Sequence, residues 1–181
     1  FVLMYYEFRY TFHCCKYIYD ELFKIKKIKT VYDDEKLVRL AYIFFYAGIG
    51  SNSDMLSKAM NISEPHKFEN ILFETTLSYL YDIKTNKIAK PTFKDIDGNL
   101  VSLEIKYLPW GGHQSRLGHY YRHLFQTVKF AVNQSAILIN KDSKLEYLRT
   151  LRAQLSDHEQ LMLYYNAISH FGYAWIDNKY F

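Results

Sequence analysis

Cysteine, arginine and long apolar runs are all scarce in this chain, and each scarcity removes a class of protein. The two cysteines are the neighbours Cys14 and Cys15. Adjacent side chains diverge along a helix, so this pair makes neither a disulfide with itself nor a metal site alone, and reduced thiols are expected. The apolar opening Phe1-Val-Leu-Met-Tyr-Tyr6 is broken by Glu7, Arg9, His13 and Lys16, which leaves no membrane-length run, and no secretory signal is visible. Gly48-Ile-Gly50 lacks the rest of a G-x-G-x-x-G loop, so no dinucleotide cofactor is indicated. Linkers, repeats and low-complexity tracts are missing too. The formal charge of +4 is too mild to demand a nucleic acid.

What is present points to a packed helical domain. With 181 residues, 49% of them hydrophobic and including 18 Tyr and 13 Phe, the chain is long enough for one ordinary core. Apolar positions Phe8, Phe12, Cys15, Ile18, Leu22 and Ile25 recur at three or four, which predicts a helix over residues 4–29 ending in the solvated basic run Lys24–Lys29. Asp33 and Asp34 open a second, very apolar helix, Lys36–Ala47, stopped by Gly48. A short helix capped by Ser51 or Ser53 and reaching Met60 follows, then a turn at Pro65 and an amphipathic helix over His66–Tyr81.

Between Lys90 and Tyr107 the pattern turns to alternation around Asp97-Gly98, a hairpin signal, with Thr92, Phe93 and Ile96 on one arm and Leu100, Val101, Leu103 and Ile105 on the other. A long helix from Gln114 or Ser115 to about Asn133 comes next, then Asp142–Gln154. Ser156-Asp-His-Glu159 fits a capping box opening a last helix, Asp157–His170, which stops at Gly172. The expected fold is mainly α: a single soluble helical domain, residues 1–181, with one inserted β-hairpin at about 90–107.

Function is sought in Gly112–Phe125, which holds three of the seven histidines. Residues three and four apart share a helix face, so His119, Arg122, His123 and Gln126 form a polar stripe with Arg116 a turn before it. Lysines outnumber arginines 17 to 6, yet Arg116, Arg122, Arg149 and Arg152 fall within 37 residues. Arginine offers a rigid fork to carboxylate or phosphate where lysine offers a point charge, so the clustering hints at a specific role.

Three chemistries fit the stripe. His119 and His123 have the spacing of two metal ligands on one helix, with His113 as a third, but position 120 is Tyr where H-E-x-x-H needs Glu, so no metal is assigned. Metal-independent RNA cleavage needs an Arg on the phosphate and a His for proton transfer. The HEPN ribonucleases place such a pair four to six residues apart on a helix, and both Arg116/His123 and Arg152/His158 fit that spacing, two matches that stand only a little above what chance gives. The third reading is structural: the His and Arg side chains bridge this helix to Glu146, Asp157 or Glu159.

Gly118-His-Tyr-Tyr-Arg-His-Leu-Phe125, followed by Leu151-Arg-Ala-Gln-Leu-Ser-Asp157 and Leu163-Tyr-Tyr-Asn166, resembles the phage abortive infection family, AbiC-like, densely over about 112–172. The resemblance implies a bacterial antiviral protein that arrests or kills the infected cell, acting in the cytoplasm or at the cytoplasmic face of the inner membrane. A chain that begins at Phe rather than Met is expected to be a fragment, which suits the hydrophobic helices that the family often carries upstream, so any membrane attachment is expected through a segment outside it. The signature positions carried over are Gly118, His119, Tyr121, Arg122, Arg152, Gln154, Ser156 and Asn166.

The expected site lies where the 115–133 helix meets the Arg152–Ser156 junction. Arg116, Arg122 and Arg152 would hold phosphate, His119 or His123 would transfer the proton, and Gly118, Gln154 and Asn166 would bind ligand, without metal or cofactor. RNA or a nucleotide is the expected partner, with a homodimer also envisaged. The competing expectation is a non-enzymatic sensor that docks a phage protein, for which Trp110, Tyr173 and Trp175 would suit if exposed, although core packing is the favoured reading of these rings.

Overall fold

The computed structural model describes residues 1–50, 56, 68–135 and 140–177. It is mainly helical with one small antiparallel hairpin, as the sequence predicts. Two compact units divide the chain, Val2–His113 and Gln114–Phe181, the second also taking in Phe1. The expected Ser51–Met60 helix and the Pro65 turn lie outside the described residues, apart from the buried Leu56.

In the first unit, α1 (Val2–Lys24) packs against α2 (Asp34–Ala47) and α3 (Asn70–Lys84). Phe8, Thr11, Cys15, Ile18 and Leu22 bury one face of α1 at helical spacing. Cys14 and Cys15 are free and buried, and burial raises both thiols far above their ordinary range, which makes them inert core residues. The helix stops five residues short of the expected Lys29. Lys26 adopts φ 56°, its N–H bonds to Phe23 O at 3.0 Å and the Lys27 N–H to Leu22 O at 3.0 Å. That is a Schellman closure with Lys where Gly is usual, so most of the basic run lies beyond the helix and Ile25 is exposed.

Helix α2 begins as expected, with the Asp33 carboxylate accepting from Lys36 N at 2.8 Å. It is buried nearly all round, from Leu40 to Tyr46, which marks it as the unit's central helix. Phe8 meets Tyr42 and Phe45 edge-on, and Phe44 meets Phe73 of α3 at 4.8 Å. Of the expected His66–Tyr81 helix, the described part runs over Asn70–Lys84.

The hairpin pairs β1 (Phe93–Lys94) with β2 (Leu100–Val101). Its turn is a type I turn closed by Gly98 at φ 81°, with the Gly98 N–H on Asp95 O and the Asp95 carboxylate accepting from the backbone of Asp97 and Asn99. Asp97-Gly98 therefore sets a three-residue loop with a glycine bulge. Ile96 sits at the fully exposed tip, whereas Val101 and Leu103 are buried.

The return segment is anchored by Glu7, whose carboxylate is 0% exposed. Glu7 accepts from Tyr107 Oη at 2.5 Å, Trp110 N at 2.7 Å and His113 Nε2 at 2.9 Å. Thr11 Oγ1 accepts from the Trp110 indole at 2.8 Å, and the His113 ring stacks on Phe45 at 4.5 Å. Backbone bonds from His113 N to Tyr46 O and from Ile49 N to Trp110 O complete the clasp. Two glycines permit it: Gly48 and Gly112 have φ of 82° and 86°, and a Cβ on either would lie 2.8 Å from the other segment's backbone.

Buried donors left without an acceptor are costly. Replacing Glu7 by Ala strands three of them, and urea unfolding followed by near-UV circular dichroism should show a loss of about 3–5 kcal/mol, with Glu7→Gln losing less. A change below about 1 kcal/mol would mean that the network is incidental.

Candidate functional site

The second unit contains α4 (Gln114–Val132), α5 (Lys141–Ala153), α6 (Asp157–Ile168) and a 3-10 helix over His170–Trp175. Lys144 ties the end of α4 to α5 by donating to the carbonyls of Val132, at 2.7 Å, and Gln134, where a cation also suits the helix dipole. Asn140 caps α5, accepting from Ser143 N at 2.8 Å. The capping box opening α6 is formed as read from the sequence, between Ser156 and Glu159. The last helix ends at Ile168 rather than His170, because Ser169 turns extended and its N–H and hydroxyl both donate to Asn166 O.

On α4 the apolar residues Leu117, Tyr121, Leu124, Val128 and Ala131 recur at three or four. At about 100° per residue, His119, Arg122 and Gln126 fall on the opposite side, with Arg116 and His123 on its flank. All five are exposed. Among the described residues Arg116, Arg122 and Arg152 form no salt bridge. The stripe is thus the solvated face of an amphipathic helix, and the arginines are not locked into the expected pairs with Glu146, Asp157 or Glu159. Tyr120 makes the bridge instead, donating to Glu159 Oε1 at 2.9 Å. Burial and the facing carboxylate push the Tyr120 hydroxyl up to about 12. Glu159 is held below the usual glutamate range, first by the Ser156 hydroxyl; burial opposes this, and the Ser156 amide and Tyr120 add to the lowering.

His113, the third histidine of the motif, belongs to the other unit, where Glu7 holds it in the core. Among the described residues no group of three metal-ligating side chains occurs. Arg116 and His123, seven residues apart, are separated by about 10.5 Å along the helix axis, too far to work on one phosphate within one chain. Gly118 is half-buried on α4, and Gln154 is exposed at the end of α5. Asn166 is buried against Gly172, where a Cβ would lie 2.4 Å from its Oδ1. Trp110, for which core packing is the favoured reading of the sequence over an exposed contact, is 0% exposed, its indole bound in the Glu7–Thr11 clasp; Tyr173 is exposed.

Where α4, α5 and α6 converge there is a groove of about 380 Å³. Leu124 and Val128 of α4, Leu148 and Leu151 of α5, Leu163 of α6 and Trp175 wall it, and Arg152 is the charged residue in its lining among the described residues. The Trp175 ring meets Phe125 edge-on at 5.2 Å. Arg152 lines that groove while staying exposed to solvent, and Arg116, His119, Arg122 and His123 line no part of it. The groove escaped sequence reading because its leucines have the spacing of ordinary core residues; the one available signal was that α5 carries few other apolar side chains.

A small helical unit with a cationic face on one helix and an apolar groove between three is the class the geometry defines. Residues 112–179 match the family described as "Putative phage abortive infection protein", and these limits nearly coincide with the unit itself. That match supports a role in antiphage defence. No curated protein and no solved structure matches the chain significantly. No helix among the described residues is long and apolar enough to cross a membrane.

The Glu159 linkage has a definite sign. A carboxylate depressed in the folded state gives stability that is present above its unfolded value and lost as pH falls through the folded one. Amide hydrogen exchange in the first turn of α6, corrected for intrinsic rate, should lose protection as pH drops below the ordinary value of 4.5. Glu159→Gln should lower that protection at neutral pH and remove the pH step; an identical step in the variant would assign it to another group.

Proposed function

We propose that the Gln114–Phe181 unit serves phage defence by binding an anionic macromolecule, single-stranded RNA first among them, on the exposed face of α4. The observation that carries this reading is the composition of that face. Helix α4 has no acidic residue in 19 positions, and its Arg116, His119, Arg122 and His123 are exposed, with neither arginine in an ion pair among the described residues. Unpaired guanidinium groups spread over two turns match the repeat of a phosphate backbone better than they match one scissile bond.

Binding is favoured over cleavage on geometric grounds. A general acid or base must reach the same atoms as the phosphate-holding group and be oriented by a neighbour. His119 and His123 stand at the surface, and no hydrogen bond among those described orients either ring. The ligand-holding role thus falls to Arg116 and Arg122, with the two histidines and Gln126 supplying further polar contact.

Fluorescence anisotropy with a labelled single-stranded RNA tests the proposal. The double variant Arg116→Gln/Arg122→Gln should weaken binding at low salt and reduce the slope of log K against log salt by about 1 to 2. Equal affinity and slope in the variant would sink the reading. The RNA should stay intact without divalent metal, and cleavage lost in His123→Ala would replace binding by catalysis. In phage-challenged cells making equal protein, Arg122→Ala should lower protection, and unchanged protection would remove the face from the defence role.

A further inference from the structure

The groove of the second unit has no part in that reading, and its lining has a chemistry of its own. Helix α5 contains no buried residue, so its Leu148 and Leu151 are only half covered, by the walls they share with Leu124, Leu163 and Trp175. Water in contact with such a surface is readily displaced by hydrocarbon. The volume of about 380 Å³ lies at the lower end of small-molecule sites, roughly 300–1,000 Å³, which also occur between the helices of bundles. A helix from a protein partner, about 10–12 Å across, would fill that volume in less than one turn, so the groove suits a slimmer occupant.

Charge narrows the occupant further. Among the described residues Arg152 is the one group of fixed charge in the lining, no carboxylate joins it there, and it forms no salt bridge. The other strongly polar lining residue, Gln160, commits its amide nitrogen to Leu155 O at 2.9 Å. A guanidinium fork beside an apolar trough is complementary to a carboxylate or phosphate carried on a hydrocarbon body. A cation would find no partner, and a neutral alcohol would leave Arg152 unanswered.

We infer that this groove is a binding site for a small anionic amphiphile, with its hydrocarbon among Leu124, Leu151, Leu163 and Trp175 and its anionic head on Arg152. The site uses Arg152 as an anion anchor independent of the α4 face, so the two ligands are separable by mutation.

Isothermal titration calorimetry of the full chain with decanoate, decyl phosphate and decanol, each below its aggregation concentration, tests it. Decanoate and decyl phosphate should bind and decanol bind more weakly; which anion is tighter distinguishes a carboxylate ligand from a phosphate one. Arg152→Gln, an exposed position, should cost about tenfold in affinity for the two anions and leave decanol unchanged. Ala167→Phe, which fills the groove, should abolish all three, and thermal melting checks that each variant folds. RNA binding by Arg152→Gln should be unaltered, and decanoate binding by the Arg116→Gln/Arg122→Gln variant likewise. The inference is overturned if neither anion binds below about 1 mM, if decanol binds as tightly as decanoate, or if Arg152→Gln binds decanoate like the native chain.

Discussion

The first unit depends on one buried carboxylate. Glu7 is an isolated acid in an aromatic helix, and its desolvation is tolerable only because three donors converge on it from the segment Tyr107–His113. The same segment holds Trp110 at φ 53° and Gly112 at φ 86°, a backbone path that a free peptide rarely takes. The network over-determines that path, and the path in turn delivers His113 to the end of α2, one residue before α4 begins. A single charge thereby sets the closure of the hairpin segment against α1 and α2.

Most of the secondary structure was legible because it rests on local periodicity and caps. The α1 face, the Asp33 cap, the Asp97-Gly98 turn and the Ser156–Glu159 capping box all follow from neighbours within four residues. The end of α1 was not legible, since nothing in Lys26 announces a left-handed residue. Glu7 was read as an interruption of an apolar stretch, because its partners lie about a hundred residues away. The polar stripe was legible as a pattern but not as a role: the spacing that gathers ligands on one face also produces the solvated side of any amphipathic helix. Of its expected carboxylate partners, Glu159 is taken by Tyr120, a residue whose aromatic body disguised a polar contact.

Helix α4 divides its labour by angle. Leu124 and Val128 help to wall the groove, and half a turn away His119, Arg122 and Gln126 face outward, so one rigid cylinder presents two chemically opposite surfaces. Arg152, grouped by sequence with the α4 arginines, lines the groove instead of their face. Proximity along the chain overstated their kinship, and the packing of α5 beside α4 explains why.

The chain has two tryptophans, and they fall one to each unit. Trp110 is sealed from solvent with its indole N–H bound to a threonine, whereas Trp175 is half-exposed at the rim of a groove. Their fluorescence therefore separates by colour: the first emits at the blue edge and resists a dissolved quencher, the second emits further to the red and yields to it. The protein thus carries a built-in spectral label for each half, which requires no foreign dye.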